Sequence, residues 1–458
     1  MLMREINNGN RRIAKYWHKD KQKNAVVCKL SPRNCVIKEG QMGFCGVRGN
    51  VNGELNTFNY GVGVEATIET IETEAVYHFH PGTRILSLGN VGCMMSCKFC
   101  QNWTTSQVKH LNKSNLRFFT PEEIIDMAVE NNIGVISWTY NDPVVWHEFV
   151  MDTSKLAKSA GIKVLYKTAL YIEPEPLAEL IEVVDIFSVS LKSMNPDMYR
   201  KFTKGRLDPI LRGILQIAKS KRHLEISQLI VTGLNDSKED ARKSVRWIVE
   251  NIGNHIPLHF VGYHPAYKYN KPRTPLSVLL SARDVAKSEG VKYCYLGNVY
   301  QDDVSNTYCD KCGSLLVQRF GLTVKNAGLG DDNKCMKCGE NSPINGIEIK
   351  SQSGLKPDGV LFNDENTFEW SNEENSLHII QQSGDIIYIK VERGGGNVIE
   401  YYELNKGIER LILSKSGKEE KFIKIYTENI DDIAIVPVLD RAHYPVLNDS
   451  IDKSKYIN

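Results

Sequence analysis

The chain lacks an excess of charge of either sign. Its 57 lysines and arginines face 55 aspartates and glutamates among 458 residues, a formal net charge of +2. A dedicated nucleic-acid binder carries a basic surplus, so nucleic acid is not an expected partner. No uncharged apolar run approaches the roughly 18 residues a membrane helix needs, and no membrane partner is expected either. The opening stretch MLMREINNGNRRIAKYWHKDKQK is charged from its fourth residue and has no apolar signal core. The expected location is therefore the cytoplasm, a reducing compartment. There the 11 cysteines read as metal ligands, catalytic thiols or small buried residues rather than as disulfides. Internal repeats and low-complexity stretches are absent as well.

The length allows two or three domains at roughly 100–200 residues each. From Arg84 to Val299 apolar runs alternate with longer helical patterns: RILSLG (84–89), GVISWTY (134–140), KVLYKTA (163–169), DIFSVSL (185–191), LEISQLIVT (224–232), LHFVGY (258–263) and KYCYLGNV (292–299). Thr120-Pro121-Glu122-Glu123 predicts a capping box, and Asp236 with Glu239, and Thr274 with Pro275, predict two more helix starts. Strands alternating with helices mean βαβ units and a parallel sheet. The expected fold is α/β, a partial (β/α)6 TIM-like barrel over 84–300. An N-terminal cysteine-containing lead-in (1–83) precedes it, and a zinc-ribbon-like segment (301–344) and an all-β module (345–458) follow. In such barrels the chemistry sits at the C-terminal ends of the strands.

Just beyond the first expected strand lies GCMMSCKFCQNW, with Cys93, Cys97 and Cys100 on a loop led by Gly89 and Gly92. A structural zinc takes four ligands, and a catalytic metal keeps one position open. Three thiolates at intervals of three and two residues suit three corners of a 4Fe-4S cluster, with the fourth iron free to chelate S-adenosylmethionine. Three buried apolar cysteines or part of a zinc knuckle is the competing reading.

This CxxxCxxC pattern resembles the radical S-adenosylmethionine superfamily. The resemblance implies that Phe99 packs near the adenine. It implies also that Asn141 and Asp142, after the second strand, bind the methionine amino group, although Asp142-Pro143 reads equally as a helix start. Thr168 after the third strand, and Ser190 and Lys192 of SVSLK after the fourth, would face the cofactor. His264 ends the sixth strand, where a ligand to cofactor or substrate and a structural histidine before proline are both open. More closely, VYHFHPGTRILSLGNVGCMMSCKFCQNW, VTGLNDSKED, FVGYHPAYK and YLGNVYQDDVSNTYCDKCG are similar to the AmmeMemoRadiSam group, whose core resembles pyruvate formate-lyase activating enzymes. The match runs from about Cys28 to Cys338. This chain departs from it at Ser31, where relatives carry a thiol, at ETIETEA before Tyr77, at Thr168-Ala169-Leu170 in place of a Thr-Asn-Gly, and at Ser190, where an aspartate is common.

Cys309-x2-Cys312 and Cys335-x2-Cys338 are two knuckles that can close a tetrahedral S4 site, with structural zinc expected and iron also compatible. Cys28, Cys35 and Cys45 fit no standard spacing, and Cys294 sits in an apolar strand. The resemblance implies an enzyme that takes one electron from a flavodoxin or ferredoxin, cleaves S-adenosylmethionine and removes a hydrogen from a small molecule, peptide or protein side chain. Activation of a glycyl-radical enzyme is the alternative within that class. A non-catalytic zinc-stabilised binding protein is the alternative from another class.

Overall fold

A computed structural model describes residues 11–346 apart from 300 and 302, and beyond them seven strands between 364 and 438 with a few flanking residues. It divides into two compact units, one built from residues 11–66 and 86–294, the other from 67–85 and 295–438.

The first unit contains the parallel strands β1 (Arg84–Asn90), β2 (Val135–Thr139), β3 (Lys163–Thr168), β4 (Ile186–Leu191), β5 (His223–Ile230) and β6 (Leu258–Gly262). They lie side by side in chain order, every neighbouring pair parallel. Between them run α1 (Pro121–Glu130), α2 (His147–Ser159), α3 (Pro174–Val183), α4 (Leu207–Ala218) and α5 (Lys238–Ile252), and α6 (Leu276–Ser288) follows β6. This is an α/β architecture, as the alternation predicts. The expected seventh run forms Cys294–Gly297.

Lateral register shows which residues share a face, because pairing partners in a sheet point the same way. Leu86, Leu88, Ile136, Trp138, Phe187, Val189, Ile226 and Phe260 fall on one side. The α2 helix covers part of it, with Trp138 Nε1 donating to Ser154 Oγ at 3.1 Å and Trp138 lying 6.0 Å from the Phe149 ring. The opposite face carries most of the polar side chains of the sheet.

Helix starts follow local chemistry. The Thr120 hydroxyl accepts from Glu123 N at 3.2 Å while the Glu123 carboxylate accepts from Thr120 N at 2.7 Å, the capping box expected. Two other expectations need correction. At α5 the cap is Ser237, which accepts from Asp240 N at 3.1 Å, while Asp236 accepts from Gly233 N in the turn before it. Thr274 does not cap α6, because its hydroxyl accepts from Tyr263 N and donates to Ile230 O.

Two three-stranded antiparallel sheets occupy residues 12–57 of the lead-in. Beside them Arg48 makes a bidentate ion pair with Glu148 of α2 at 3.0 and 3.1 Å, both side chains buried.

In the second unit a small antiparallel sheet, Thr307–Tyr308, Leu315–Phe320 and Thr323–Asn326, carries the four-cysteine segment. Arg319 is buried there. It donates to Tyr77 O at 2.7 Å and Thr307 Oγ1 at 2.8 Å and pairs with Glu72 at 3.4 Å. Farther along, all the described strands are antiparallel. Asp364–Glu369, Phe422–Thr427, Ile387–Arg393 and Val398–Leu404 make one sheet, and Arg410–Ser414, Ser376–Gln381 and Ile433–Val438 another. Leu377 and Ile379 of one sheet share an apolar cluster with Ile389, Val391, Ile423 and Ile425 of the other. The turn signals at Gly394-Gly395-Gly396 and Ser416-Gly417 lie outside the described residues.

Candidate functional site

The loop after β1 is fixed from both ends. Gly92 has φ +87°, and a Cβ there would lie 2.8 Å from both Cys45 O and Val47 Cγ1, so only glycine fits this left-handed, crowded position. Farther along, Ser96 N donates to Thr203 O at 2.9 Å and Lys98 N to Phe202 O at 2.8 Å, tying the loop to the π-turn Tyr199–Thr203. Cys93, Cys97 and Cys100 are held between these anchors. Met95 N donates to Cys93 Sγ at 3.3 Å, and Ser106 Oγ stands 3.3 Å from Cys100 Sγ.

Burial pushes all three thiols up, Cys93 well above its ordinary range and Cys97 to about 12, while the Lys192 charge opposes the rise at Cys97 and Cys100. Free thiols here are neutral, so a cationic ligand is needed to hold them as thiolates. Among the described residues, the sulfurs of this trio do not form a group drawn within 4.8 Å of one another. A single ion needs such convergence, whereas a cluster that offers each thiolate its own iron needs the sulfurs apart. The donor set thus suits a multi-iron cluster better than one zinc.

Behind the trio sits a knot of buried side chains. Asn141 Nδ2 donates to Asn90 O at 2.5 Å and Thr105 Oγ1 to Asn141 Oδ1 at 3.1 Å, while Asn102 Nδ2 reaches Tyr140 O at 2.6 Å. The Gln101-Asn102-Trp103 tail is therefore partly a brace. Asp142 caps the short helix Pro143–Trp146 through Val144 N at 3.3 Å, as its helix-start reading expects. The same carboxylate accepts from Thr168 Oγ1 at 2.9 Å and Ala169 N at 3.0 Å, so it also ties β2 to the end of β3. Burial raises its pKa against these bonds and the Lys192 charge. A carboxylate has about four lone-pair sites, which leaves one on Oδ2 beyond the bonds named.

Lys192 acts electrostatically on Cys97, Cys100 and Asp142, and Tyr199 Oη accepts its backbone N–H at 2.9 Å. The structure thus brings Cys93, Cys97, Cys100, Asn141, Asp142, Thr168 and Lys192 into one neighbourhood. Phe99 is buried in the same loop. His264 Nδ1 is 3.1 Å from Gln101 Nε2, at the edge of that loop. Ser190 belongs to a different group, 3.4 Å from Ser227 Oγ.

Of that second group the sequence reading had only Lys167 and the serines of SVSLK, Ser188 and Ser190, and missed the rest. Register puts Ser87, Ser137, Thr139, Lys167, Ser188, Ser190, Glu225, Ser227 and His259 on one face of the sheet. Most are buried, Ser87, Ser137, Ser188 and Glu225 fully. Lys167 Nζ donates to Ser188 Oγ at 3.0 Å and Ser227 Oγ at 3.2 Å. Glu225 is held between His223 at 2.9 Å and His259 at 2.7 Å. Parallel strands covered on both sides normally read as continuous apolar runs, so a buried polar face of this kind is unusual. The period-two spacing of Glu225 and Ser227 in LEISQLI, and of Ser137 and Thr139 in ISWT, was the available signal.

In the second unit the ligating atoms of Cys309, Cys312, Cys335 and Cys338 all lie within 4.8 Å of one another. Cys309 and Cys338 sulfurs are 3.6 Å apart and Cys312 and Cys335 sulfurs 3.7 Å. A tetrahedron with the usual zinc–sulfur length puts its corners about 3.8 Å apart, so the set fits one ion. Gly313 N donates to Cys309 O at 2.9 Å and Gly339 N to Cys335 O at 2.8 Å, so both knuckles make the same turn. The Ser314 hydroxyl, 3.2 Å from Cys335 Sγ, leads in lowering that thiol to about 6.

Cys28 and Cys35 face each other across a hairpin, Cys28 N donating to Cys35 O at 3.0 Å, and burial pushes Cys45 up to about 11. These three form no such ligating group among the described residues. Cys294 is buried in its strand, as expected.

Comparison with known proteins bears on the same residues. The family model described as the radical SAM superfamily matches residues 87–248. An uncharacterised protein of Methanocaldococcus jannaschii is 40% identical over 323 residues, covering 70% of this chain and 96% of that protein. The pyruvate formate-lyase-activating enzyme of Clostridium pasteurianum is 27% identical over 38% of this chain and 72% of its own length. The (2S)-3-sulfopropanediol dehydratase activating enzyme of Klebsiella oxytoca is 24% identical over 28% of this chain, and the match spans 40% of that enzyme. With the thiol trio, the parallel sheet and these relatives together, the chain belongs to the radical S-adenosylmethionine superfamily and is an enzyme.

Proposed function

We propose that Cys93, Cys97 and Cys100 hold a 4Fe-4S cluster, and that the polar sheet face beside them receives S-adenosylmethionine and the molecule whose hydrogen is removed. When bound, the cluster and S-adenosylmethionine supply a one-electron cleavage that yields methionine and the 5′-deoxyadenosyl radical. The observation that carries this reading is the trio itself, three thiols on one clamped loop, Cys97 buried and Cys93 and Cys100 half-buried, that do not converge on a single ion. The sheet curls into a partial barrel in this reading, with its polar face inward.

The chain's own residues bind and orient. Asn141 and Asp142 receive the methionine ammonium, Asp142 through its remaining lone pair, with Thr168 fixing the carboxylate's angle. Lys192 neutralises the methionine carboxylate and the charge of the thiolates. Phe99 and His264 flank the nucleotide. Lys167, Ser188, Ser190 and Ser227 bind the second substrate deeper in the interior, and the buried wall around them keeps water from the radical.

The relatives named as activating enzymes support a second reading, in which the hydrogen comes from a glycyl residue of a partner enzyme. The four-cysteine group holds structural zinc in either case. The reading is tested by reducing anaerobically reconstituted protein with dithionite and measuring 5′-deoxyadenosine. Wild type should form it and Cys97→Ala should not. Equal amounts from both proteins, or none from a folded and iron-loaded wild type, would refute it.

A further inference from the structure

The loop that carries the thiol trio has a further anchor besides Gly92 and the bonds to Thr203 and Phe202, and it comes from the lead-in. Arg33 stands in a turn closed by Asn34 N donating to Ser31 O at 3.1 Å. Its Nε donates to Met94 O at 3.1 Å, between Cys93 and Cys97, and its Nη2 donates to Lys204 O at the end of the π-turn. One planar fork thus spans the two segments that Ser96 and Lys98 also join. The guanidinium is itself held, 3.5 Å from the centre of the Phe44 ring. Its turn is fastened too, with Arg206 Nη2 donating to Pro32 O at 2.9 Å and Glu173 N to Leu30 O at 3.1 Å. A half-buried side chain tied at this many points keeps its charge in one place.

That place matters electrostatically. Lys192 acts on Cys97 and Cys100, while the Arg33 charge interacts with Cys93 and with Cys35 and Cys45 of the lead-in. Burial lowers the Arg33 pKa, yet a guanidinium stays protonated in proteins. Two cations from different parts of the chain therefore reach the three thiols. We infer that Arg33 is a positioning residue for the cluster, bracing its loop at Met94 and supplying positive charge that makes the cluster easier to reduce. The inference rests on the proposed reading that the trio holds a 4Fe-4S cluster. A reduced cluster carries one more negative charge than an oxidised one, and a fixed cation beside it favours that state. A lysine here would keep the charge but could not bridge two carbonyls through one rigid plane.

The test uses the full-length reconstituted protein and reads the cluster's midpoint potential in a redox titration followed by electron paramagnetic resonance. Arg33→Gln should shift the reduction equilibrium about 10-fold toward the oxidised form, about 59 mV more negative for one electron, with iron content as in wild type. Arg33→Lys should bring the equilibrium back to within about threefold of wild type. The lysine variant should still release iron to a chelator faster than wild type, and equal release would overturn the brace. A role in folding alone would lower the unfolding midpoint of both variants and leave both potentials at the wild-type value, which overturns the inference. A shift of the same size in both variants overturns it as well, because the effect would then lie in geometry rather than charge. Where Arg33→Gln holds no iron, Arg33→Lys decides: an iron-loaded lysine variant with a wild-type potential supports the inference, and any other result overturns it. A folded wild type that binds no cluster refutes the proposed function itself, which separates that failure from this one.

Discussion

The two cysteine groups of this molecule invite direct comparison. In the second unit four sulfurs draw together, two pairs at 3.6 and 3.7 Å, and the surroundings are a small sheet with its own apolar cluster. In the first unit three sulfurs stay apart on one loop, backed by Asn141, Asp142, Thr168 and Lys192 and bordered by a polar sheet face. Four converging thiols complete a coordination sphere and leave nothing for chemistry. Three thiols beside a polar sheet face leave, in the proposed reading, an open position and somewhere for a ligand to lie. The spacing of the cysteines separates the two groups only in part. What lies next to them separates them fully.

If the comparison is right, the two groups fail independently. Cys97→Ala should abolish 5′-deoxyadenosine formation and most iron binding while zinc content, measured by metal analysis, stays unchanged. Cys335→Ala should do the reverse, releasing zinc and forfeiting on the order of 10 kcal/mol of binding free energy that otherwise supports folding of the second unit. Iron should remain in that variant, and calorimetry should show the lower unfolding transition.

A smaller effect sharpens the contrast between the units. Glu148→Ala leaves the buried Arg48 guanidinium without its carboxylate, a change worth about 3–5 kcal/mol. It should lower the denaturation midpoint of the first unit and leave zinc retention in the second untouched.

The smallest effect concerns pH. Burial alone would raise the Glu225 carboxyl, but hydrogen bonds from His223 and His259 outweigh it and hold the group well below the usual carboxylate range. A depressed carboxylate stabilises the fold above its unfolded pKa, and that contribution is lost as pH falls below it. Glu225→Gln should therefore cost about 1–3 kcal/mol at neutral pH. Its disadvantage against wild type should hold from about pH 7 down to the ordinary glutamate value of about 4.3. It should narrow only below that, as chemical denaturation is repeated toward the depressed folded pKa.

Much of this could be read from the sequence. The six parallel strands follow from apolar runs separated by helical patterns, and the capping box at Thr120 from three residues of local chemistry. The four-cysteine site was legible because each knuckle is a local turn. What escaped depends on distant pairing. Asp142 looks like either a cap or a ligand, and only the register of β2 against β3 shows that it caps one element and binds Thr168 of another. Ser237 displaced Asp236 as a cap because the turn took the aspartate for Gly233 N. The polar sheet face was written in the alternation of Glu225, Ser227 and their neighbours, but which face each residue joined awaited the strand order. The lead-in strand Trp17–Asp20, with histidine, lysine and aspartate among its four residues, has no apolar alternation and takes its shape from pairing with Ala25–Cys28.

The central claim is that the trio leaves one iron open. The most direct measurement is the electron paramagnetic resonance spectrum of the reduced, reconstituted protein before and after adding S-adenosylmethionine. The account predicts a 4Fe-4S signal that changes shape when the ligand binds, is absent in Cys97→Ala and is unaffected by Cys335→Ala. A cluster signal indifferent to S-adenosylmethionine, or one lost with Cys335 rather than Cys97, would contradict it.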